Sequence, residues 1–375
     1  MQRFLSGLFG ELDRRCGKLT ARLSKVDASA WTDSVVTLAR HDIDRIAKDA
    51  VGYRDDRSLR APDHLDPEIA AILSRQYLSL DREARLIEWE VVPFVERFTR
   101  VDGMLSALSV RLAREVRWPQ VPPLVCTCSS SDWCRSTYYN LVFAPALEGT
   151  TLLSLPDLAH ELAHALFFDH RQALVGEWTA ASLLDHLQES HPDAPTTRLV
   201  EIADDWDEYW LAEIGCDLIA TYLLGPAYVW QHIRLCAGEP RSIFDDSGHP
   251  ADEARLQAML RMLRKCGLEQ DAEGVEALWT EYLPTRDANR THDYHYRYPE
   301  SLLGLLVDQI HAGAASLSIH EFAIHDGAET IPALLATAWR RFLADPASYA
   351  AWESQAIADL STQLQAEQPA SYSMA

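Results

Sequence analysis

His160-Glu161-Leu162-Ala163-His164 sets two histidines four residues apart, with a glutamate directly after the first. At 3.6 residues per helical turn, positions i and i+4 share a face, so both imidazoles can reach one tetrahedral ion. Glu161 lies about 100° further round the helix, close enough to hold a water at the ion's open position without being a ligand. The chemistry served by this spacing is hydrolysis by a metal-activated water. A chain of this composition yields the bare pattern by chance roughly 0.04 times. The flank Leu158, Leu162, Leu166 and Phe167 makes the helix a buried one, where a histidine pair needs a partner.

A catalytic metal with one open position needs a third protein ligand. The best candidate is Glu213, in Trp210-Leu-Ala-Glu-Ile-Gly-Cys-Asp-Leu-Ile-Ala220, where Glu213 and Asp217 again stand at i and i+4. One carboxylate of such a pair can bind metal while the other accepts the spare N–H of a ligating histidine. Ile214, Leu218, Ile219 and Leu223 make this helix apolar, and unpaired acids there would be costly. His170, six residues after His164, is a rival ligand, but that spacing needs a glycine-permitted turn and Phe167 holds the glycine position. His320 and His325 are five apart and diverge around a helix, which marks them as structural. Cys126, Cys128 and Cys134 match no familiar zinc knuckle and are read as reduced packing residues, with a redox or metal role left open. The aromatic stretch Thr291–Pro299 offers Tyr294 and Tyr296 as residues lining a substrate cleft, against the plainer reading of a loop packed on the core.

Several elements must position these groups. Apolar residues three and four apart, such as Ile69, Ile72, Leu73 and Tyr77, predict a helical N-terminal region over 1–118. Pro119, Pro122 and Pro123 then mark a boundary. The one convincing strand is Thr137–Ala144, rich in aromatic and β-branched residues. Ser154-Leu-Pro-Asp157 resembles a capping box opening the first metal helix, which should reach about Phe168. Residues 188–205 read as an acidic surface connection, and a second helix as Trp206–Leu224, ending at Gly225-Pro226. Further helices are expected over 251–267, 271–283, 300–314 and 329–363. The fold class is mainly α with a small β-sheet (α+β): a core over 119–268, and a helical region over 269–375 with a disordered tail at 364–375.

At these residues the chain resembles the gluzincin metallopeptidases, and within them the HtpX and CAAX prenyl-protein endopeptidase group. The matching residues are His160-Glu161-x-x-His164, Glu213-x-x-x-Asp217-x-x-Ala220 and Ser247-Gly-His249-Pro250 with Arg255 five positions after the proline. The similarity covers about a third of the chain, residues 137–262. It implies a zincin-like core, Zn2+ held by His160, His164 and Glu213, and Glu161 as general base. It further implies Asp217 orienting His160, with Arg255 beside the ligands, and His249 stabilising the transition state. A tyrosine of the 294–298 loop is an alternative oxyanion donor. By the same analogy strand 137–144, with Tyr139 and Asn140, aligns an extended peptide substrate. Members of that group are usually embedded in membranes, so their substrates do not carry over.

The rest of the composition bounds the setting. The chain has 375 residues, 47% hydrophobic and 24% charged, which excludes a disordered protein. With 34 Lys+Arg against 56 Asp+Glu, the net charge of −22 repels phosphate backbones and anionic lipid on average. No run reaches the ~20 apolar residues of a membrane span, and Ile214–Trp230, interrupted by Asp217, reads as a buried helix. Seven cysteines and no secretory leader point to a cytoplasmic protein with reduced thiols. A zinc-dependent endopeptidase is the leading reading. Its rivals are a zinc-stabilised interaction protein that binds partners through its helical regions, and a hydrolase of non-peptide amides.

Overall fold

A computed structural model describes residues 2–26, 31–60, 65–128, 133–146, 151–238, 242–246, 249–282, 293–323 and 330–367. The chain is mainly helical with one three-stranded sheet. In order, the elements are α1 (Gln2–Leu23), α2 (Asp33–Arg54), α3 (Arg57–Arg60), α4 (Pro67–Leu86), α5 (Val92–Arg97) and α6 (Arg100–Glu115), then β1 (Leu124–Cys128), β2 (Cys134–Ser136) and β3 (Leu141–Pro145). They continue as α7 (Asp157–Val175), α8 (Ala180–Ser190), α9 (Thr196–Asp205), α10 (Leu211–Leu224), α11 (Pro226–Gly238), α12 (Asp252–Lys265), α13 (Glu269–Tyr282), α14 (Tyr294–Arg297), α15 (Glu300–Ser316), α16 (Ile331–Ala344) and α17 (Pro346–Ala366). Single π-helical turns at Ile87–Val91 and Trp206–Trp210 lead into α5 and α10.

Two compact units divide the described residues. One holds the chain up to Gly103 together with Ser136–Leu141; the other holds Met104–Arg135 and Val142–Glu367. In the first, α1 buries Leu5, Phe9, Leu12, Cys16, Leu19 and Leu23, an alternating spacing of four and three that presents one apolar stripe to α2 and α4. In the second, α7, α10, α12 and α15 pack on one another. α10 is buried on nearly every side, as its apolar composition requires, and so becomes the central helix. The helices after residue 268 belong to this same unit, because α15 lies against both α7 and α12.

Several expectations are corrected. The sheet has order β1-β3-β2, and β3 starts only at Leu141: Thr137–Asn140 is a turn, with Asn140 in the left-handed region at φ 50°. Asparagine tolerates that conformation, and the aromatic pair before it supplied a strand-like composition without a strand. β1, which follows the proline boundary, had no signal strong enough to identify it. Residues 188–205 are largely helical, in α8 and α9. Thr179 and Ser182 form a reciprocal capping box that starts α8, and Pro195 stands at the N-cap of α9. The capping box expected at Ser154 does not open α7: Pro156 takes the N-cap position and Ser154 Oγ donates to Thr151 O at 3.1 Å. α7 also runs beyond Phe168 to Val175, across a non-helical residue at His170 (φ −123°). The long helix expected over 329–363 is broken at Asp345-Pro346, and the chain is helical to Ala366 because Leu364 is buried. Gly149, Pro240, Ser247, Gly248, Thr291, His292, His325 and residues 368–375 lie outside the described residues.

α15 approaches α7 closely at Gly313, where an added Cβ would lie 2.6 Å from Ala173 O and 2.7 Å from Leu174 Cα. Backbone atoms cannot step aside as a side chain can. Gly313→Ala is therefore expected to lower stability by about 1–3 kcal/mol, read as a shift in the urea midpoint at unchanged slope.

Candidate metal centre

α7 carries His160, Glu161 and His164, and α10 carries Glu213 and Asp217. The two helices can draw together because α10 has Gly215 between its two acids: a Cβ there would lie 2.5 Å from the Phe167 ring of α7. His160 Nε2 stands 3.5 Å from Glu213 Oε2, and His164 Nε2 stands 3.7 Å from Glu213 Oε1. The two imidazole rings meet edge to face at 4.8 Å between centroids. His160, Glu161 and His164 also each offer a ligand atom within 4.8 Å of the others. His160 and Glu161 are buried, while His164 and Glu213 keep 26% and 18% of their side-chain surface exposed.

Behind the first histidine, four helices meet at Asp217, which is fully buried. His160 Nδ1 lies 3.0 Å from Asp217 Oδ1. Arg255 of α12 donates twice to the same carboxylate, from Nε to Oδ2 at 2.7 Å and from Nη2 to Oδ1 at 2.8 Å. Tyr228 of α11 donates its hydroxyl to Asp217 Oδ1 at 2.5 Å and lies 2.9 Å from His160 Nδ1. With carboxylate and phenol oxygens both at Nδ1, that nitrogen keeps its proton whenever the ring is neutral, which leaves Nε2, on the Glu213 side, as the atom able to hold a metal once its own proton is displaced. A second tie fixes the start of α7, where Gln231 of α11 donates to Asp157 at 2.6 Å.

The electrostatics follow from this crowding. Burial works against charge on His160, yet its hydrogen bonds to Asp217 and Glu213 prevail and push its pKa up to about 10. Burial, reinforced by the charge of His160, pulls His164 down to about 4. For Glu213, burial is outweighed by the hydrogen bond and charge of His160, which bring it to about 2. Burial likewise opposes ionisation of Asp217, but Arg255 and His160 hold it well below the usual carboxylate range. Glu161 goes the other way: burial raises it, Glu213 adds to the rise, and His160 and Arg135 oppose it. The two acids that face His160 are thus held ionised, whereas the motif glutamate is made more basic.

The remaining candidates fall in different places. His249 lies at the rim, half exposed, with Nε2 4.0 Å from Glu213 Oε2. Its loop is fixed through Ala251, whose N–H donates to the Tyr298 hydroxyl at 3.0 Å, and Tyr298 stacks on Trp210 of the π-helical turn before α10. Tyr294 packs against Phe244 and Tyr298, and Tyr296 against His191. Tyr139 belongs to the first unit, buried, with its hydroxyl donating to Asp42 at 3.2 Å; Asn140 follows it in the turn. His170 lies at the break in α7 and, like Glu213, falls outside the convergent group of His160, Glu161 and His164; Glu213 is tied to the two histidines by its approaches of 3.5 and 3.7 Å. All seven cysteines are thiols, and Cys126, Cys128 and Cys134 form no metal-ligand group among the described residues.

Two residues of the centre escaped the sequence reading. Tyr228 sits in an apolar stretch, and its only signal is that a buried phenol needs a partner. Arg135 of β2 donates from Nη1 to the carbonyl oxygens of Glu161 (2.9 Å) and Leu162 (3.4 Å), and burial lowers its pKa to about 10. Nothing local to Cys134-Arg-Ser136 announces that contact.

Comparison of the chain with known protein families, with curated proteins and with solved structures gives no match. Among the described residues, no helix is long and apolar enough to cross a membrane.

Removing one partner of the Asp217 cluster leaves a buried charge unpaired. Arg255→Met is expected to destabilise the protein by about 3–5 kcal/mol, measured by urea unfolding. Tyr228→Phe keeps the ring and loses the hydroxyl. It is expected to stay folded and to lower the affinity of this centre for an added divalent cation about 10- to 100-fold, measured by competition against a chromophoric chelator.

Proposed function

We propose that the chain is a zinc-dependent endopeptidase of the gluzincin type, built on a zincin-like core and hydrolysing peptide bonds with Glu161 as general base. The observation that carries this reading is the approach of the Glu213 carboxylate to His160 Nε2 and His164 Nε2, at 3.5 and 3.7 Å, from a helix some fifty residues further on. Tetrahedral zinc with bonds of about 2.0–2.1 Å needs neighbouring donors about 3.3 Å apart. Each histidine nitrogen thus stands within a few tenths of an ångström of that spacing from one oxygen of the Glu213 carboxylate, Oε2 for His160 and Oε1 for His164. Two imidazoles and one carboxylate are also the ligand chemistry of a catalytic zinc that keeps a position open.

Zinc, when bound, supplies a Lewis acid that polarises the scissile carbonyl and makes water acidic enough to deprotonate near neutral pH. The protein's own groups divide the remaining work. Asp217, held by Arg255 and Tyr228, fixes the ring of His160 so that Nε2 stays directed at the centre. Glu161, whose buried carboxyl is raised in pKa, accepts the proton of the attacking water and passes it to the departing amine nitrogen. His249, at the exposed rim and anchored through Ala251, donates to the oxygen that gains negative charge as the carbonyl is attacked.

A peptide would reach the centre from the side of His164 and His249, since His160 is buried; β3, the strand expected to align it, lies between β1 and β2 in the sheet and does not offer an edge for it. Glu161→Gln is expected to retain zinc and lose hydrolysis of a mixed peptide library by a factor of about 100 or more. Glu213→Ala is expected to lose both. Elemental analysis and mass-spectrometric detection of cleavage products check this. If Glu161→Gln cleaves as the wild type does, the peptidase reading fails; loss of zinc in His170→Ala but not in Glu213→Ala refutes the ligand set.

A further inference from the structure

Three groups of described residues bring metal-binding side chains together, and two lie outside the centre described above. His232, Cys236 and Asp252 form one, but it is buried throughout, and the Arg255 guanidinium already stands 3.9 Å from Asp252. The other is built from Cys266, His311 and Glu321, whose ligand atoms all lie within 4.8 Å of one another. It is open to solvent: Cys266 and His311 are half-buried and Glu321 is exposed.

We propose that Cys266, His311 and Glu321 form a second metal site, for a thiophilic divalent cation such as Zn2+, that pins the segment following α15 to the ends of α12 and α15. Each donor comes from a different element. Cys266 is the C-cap of α12, its N–H bonded to Met262 O at 2.9 Å, and His311 belongs to the last third of α15. Glu321 lies in the segment 317–323, and its carboxylate already lies near the other two: it is 3.2 Å from His311 Nε2 and within 4.8 Å of the Cys266 sulfur.

The support behind the three donors is rigid. Phe322 N–H donates to Tyr222 O at 2.8 Å, His320 N–H to Val116 O at 2.9 Å and the Tyr222 hydroxyl to Ile319 O at 3.3 Å. The Tyr222 ring also meets His311 edge to face at 5.5 Å. The geometry therefore exists before any ion arrives, which lowers the entropic cost of binding. A thiolate, an imidazole and a carboxylate select zinc-like ions over Mg2+ or Ca2+, which take oxygen ligands. On binding, the cysteine proton passes to solvent and water completes the fourth position. His320, the neighbour that carries the sequence signal, turns instead to Glu115 O through Nδ1 at 3.2 Å.

The two metal centres differ in one atom type, and cobalt reads it. Co2+ added to the metal-stripped full chain is expected to give thiolate-to-cobalt charge-transfer absorption in the near ultraviolet. Cys266→Ser is expected to abolish that band, and Glu321→Gln to weaken the binding that produces it about tenfold or more, with far-ultraviolet circular dichroism unchanged in both. His160→Ala combined with His164→Ala is expected to keep the band, so this site stands or falls independently of the peptidase reading. Absence of the band in the wild type, its survival in Cys266→Ser, or its loss from the folded His160/His164 double variant overturns the proposal.

Discussion

A carboxylate with no access to solvent, Asp217, is the constraint on which the second unit of this protein depends. Burying an ionised acid is unfavourable by several kcal/mol unless its charge and lone pairs are matched. Here the matching groups come from separate helices: His160 from α7, Tyr228 from α11 and Arg255 from α12, all directed at an acid on α10. The apolar surfaces of these helices supply the driving force for packing but are tolerant of small slides. The cluster at Asp217 is not, because each hydrogen bond tolerates only a few tenths of an ångström. It therefore fixes the register of four helices at one point.

The candidate metal centre follows from that register. One turn before Asp217 on α10, Glu213 is carried to the outer edges of both imidazoles, and Gly215 between them removes the side chain that would hold α10 away from Phe167. The same arrangement separates the acids by role. Glu213 and Asp217 face a ring that favours their ionised forms, whereas Glu161 is buried beside another negative charge and is pushed toward proton affinity. That division is what a general base beside a metal ligand requires, and it is produced by placement alone.

Much of this was legible in the sequence, for reasons that can be named. His160, Glu161 and His164 share a helix, so spacing alone fixes their relative positions; Glu213 and Asp217 stand out because acids are rare in so apolar a helix. The mainly helical class with a small sheet follows from apolar periodicity. Tyr228 and Arg135 were not legible, since each acts across a tertiary contact with no local pattern. Tyr139 shows the opposite failure: aromatic content suggested a strand, while the backbone turns at Asn140 and the phenol is taken by Asp42. α8 and α9 were hidden by their polar composition and revealed only through their N-terminal residues Thr179, Ser182 and Pro195.

The central claim is that residues on two separate helices hold one ion, and anomalous diffraction at the zinc edge from crystals of the zinc-loaded chain addresses it directly. The account predicts a peak within bonding distance of His160 Nε2, His164 Nε2 and a Glu213 carboxylate oxygen. Zinc bound with Glu213 turned away from the ion, or no peak between the two histidines at full loading, would contradict it.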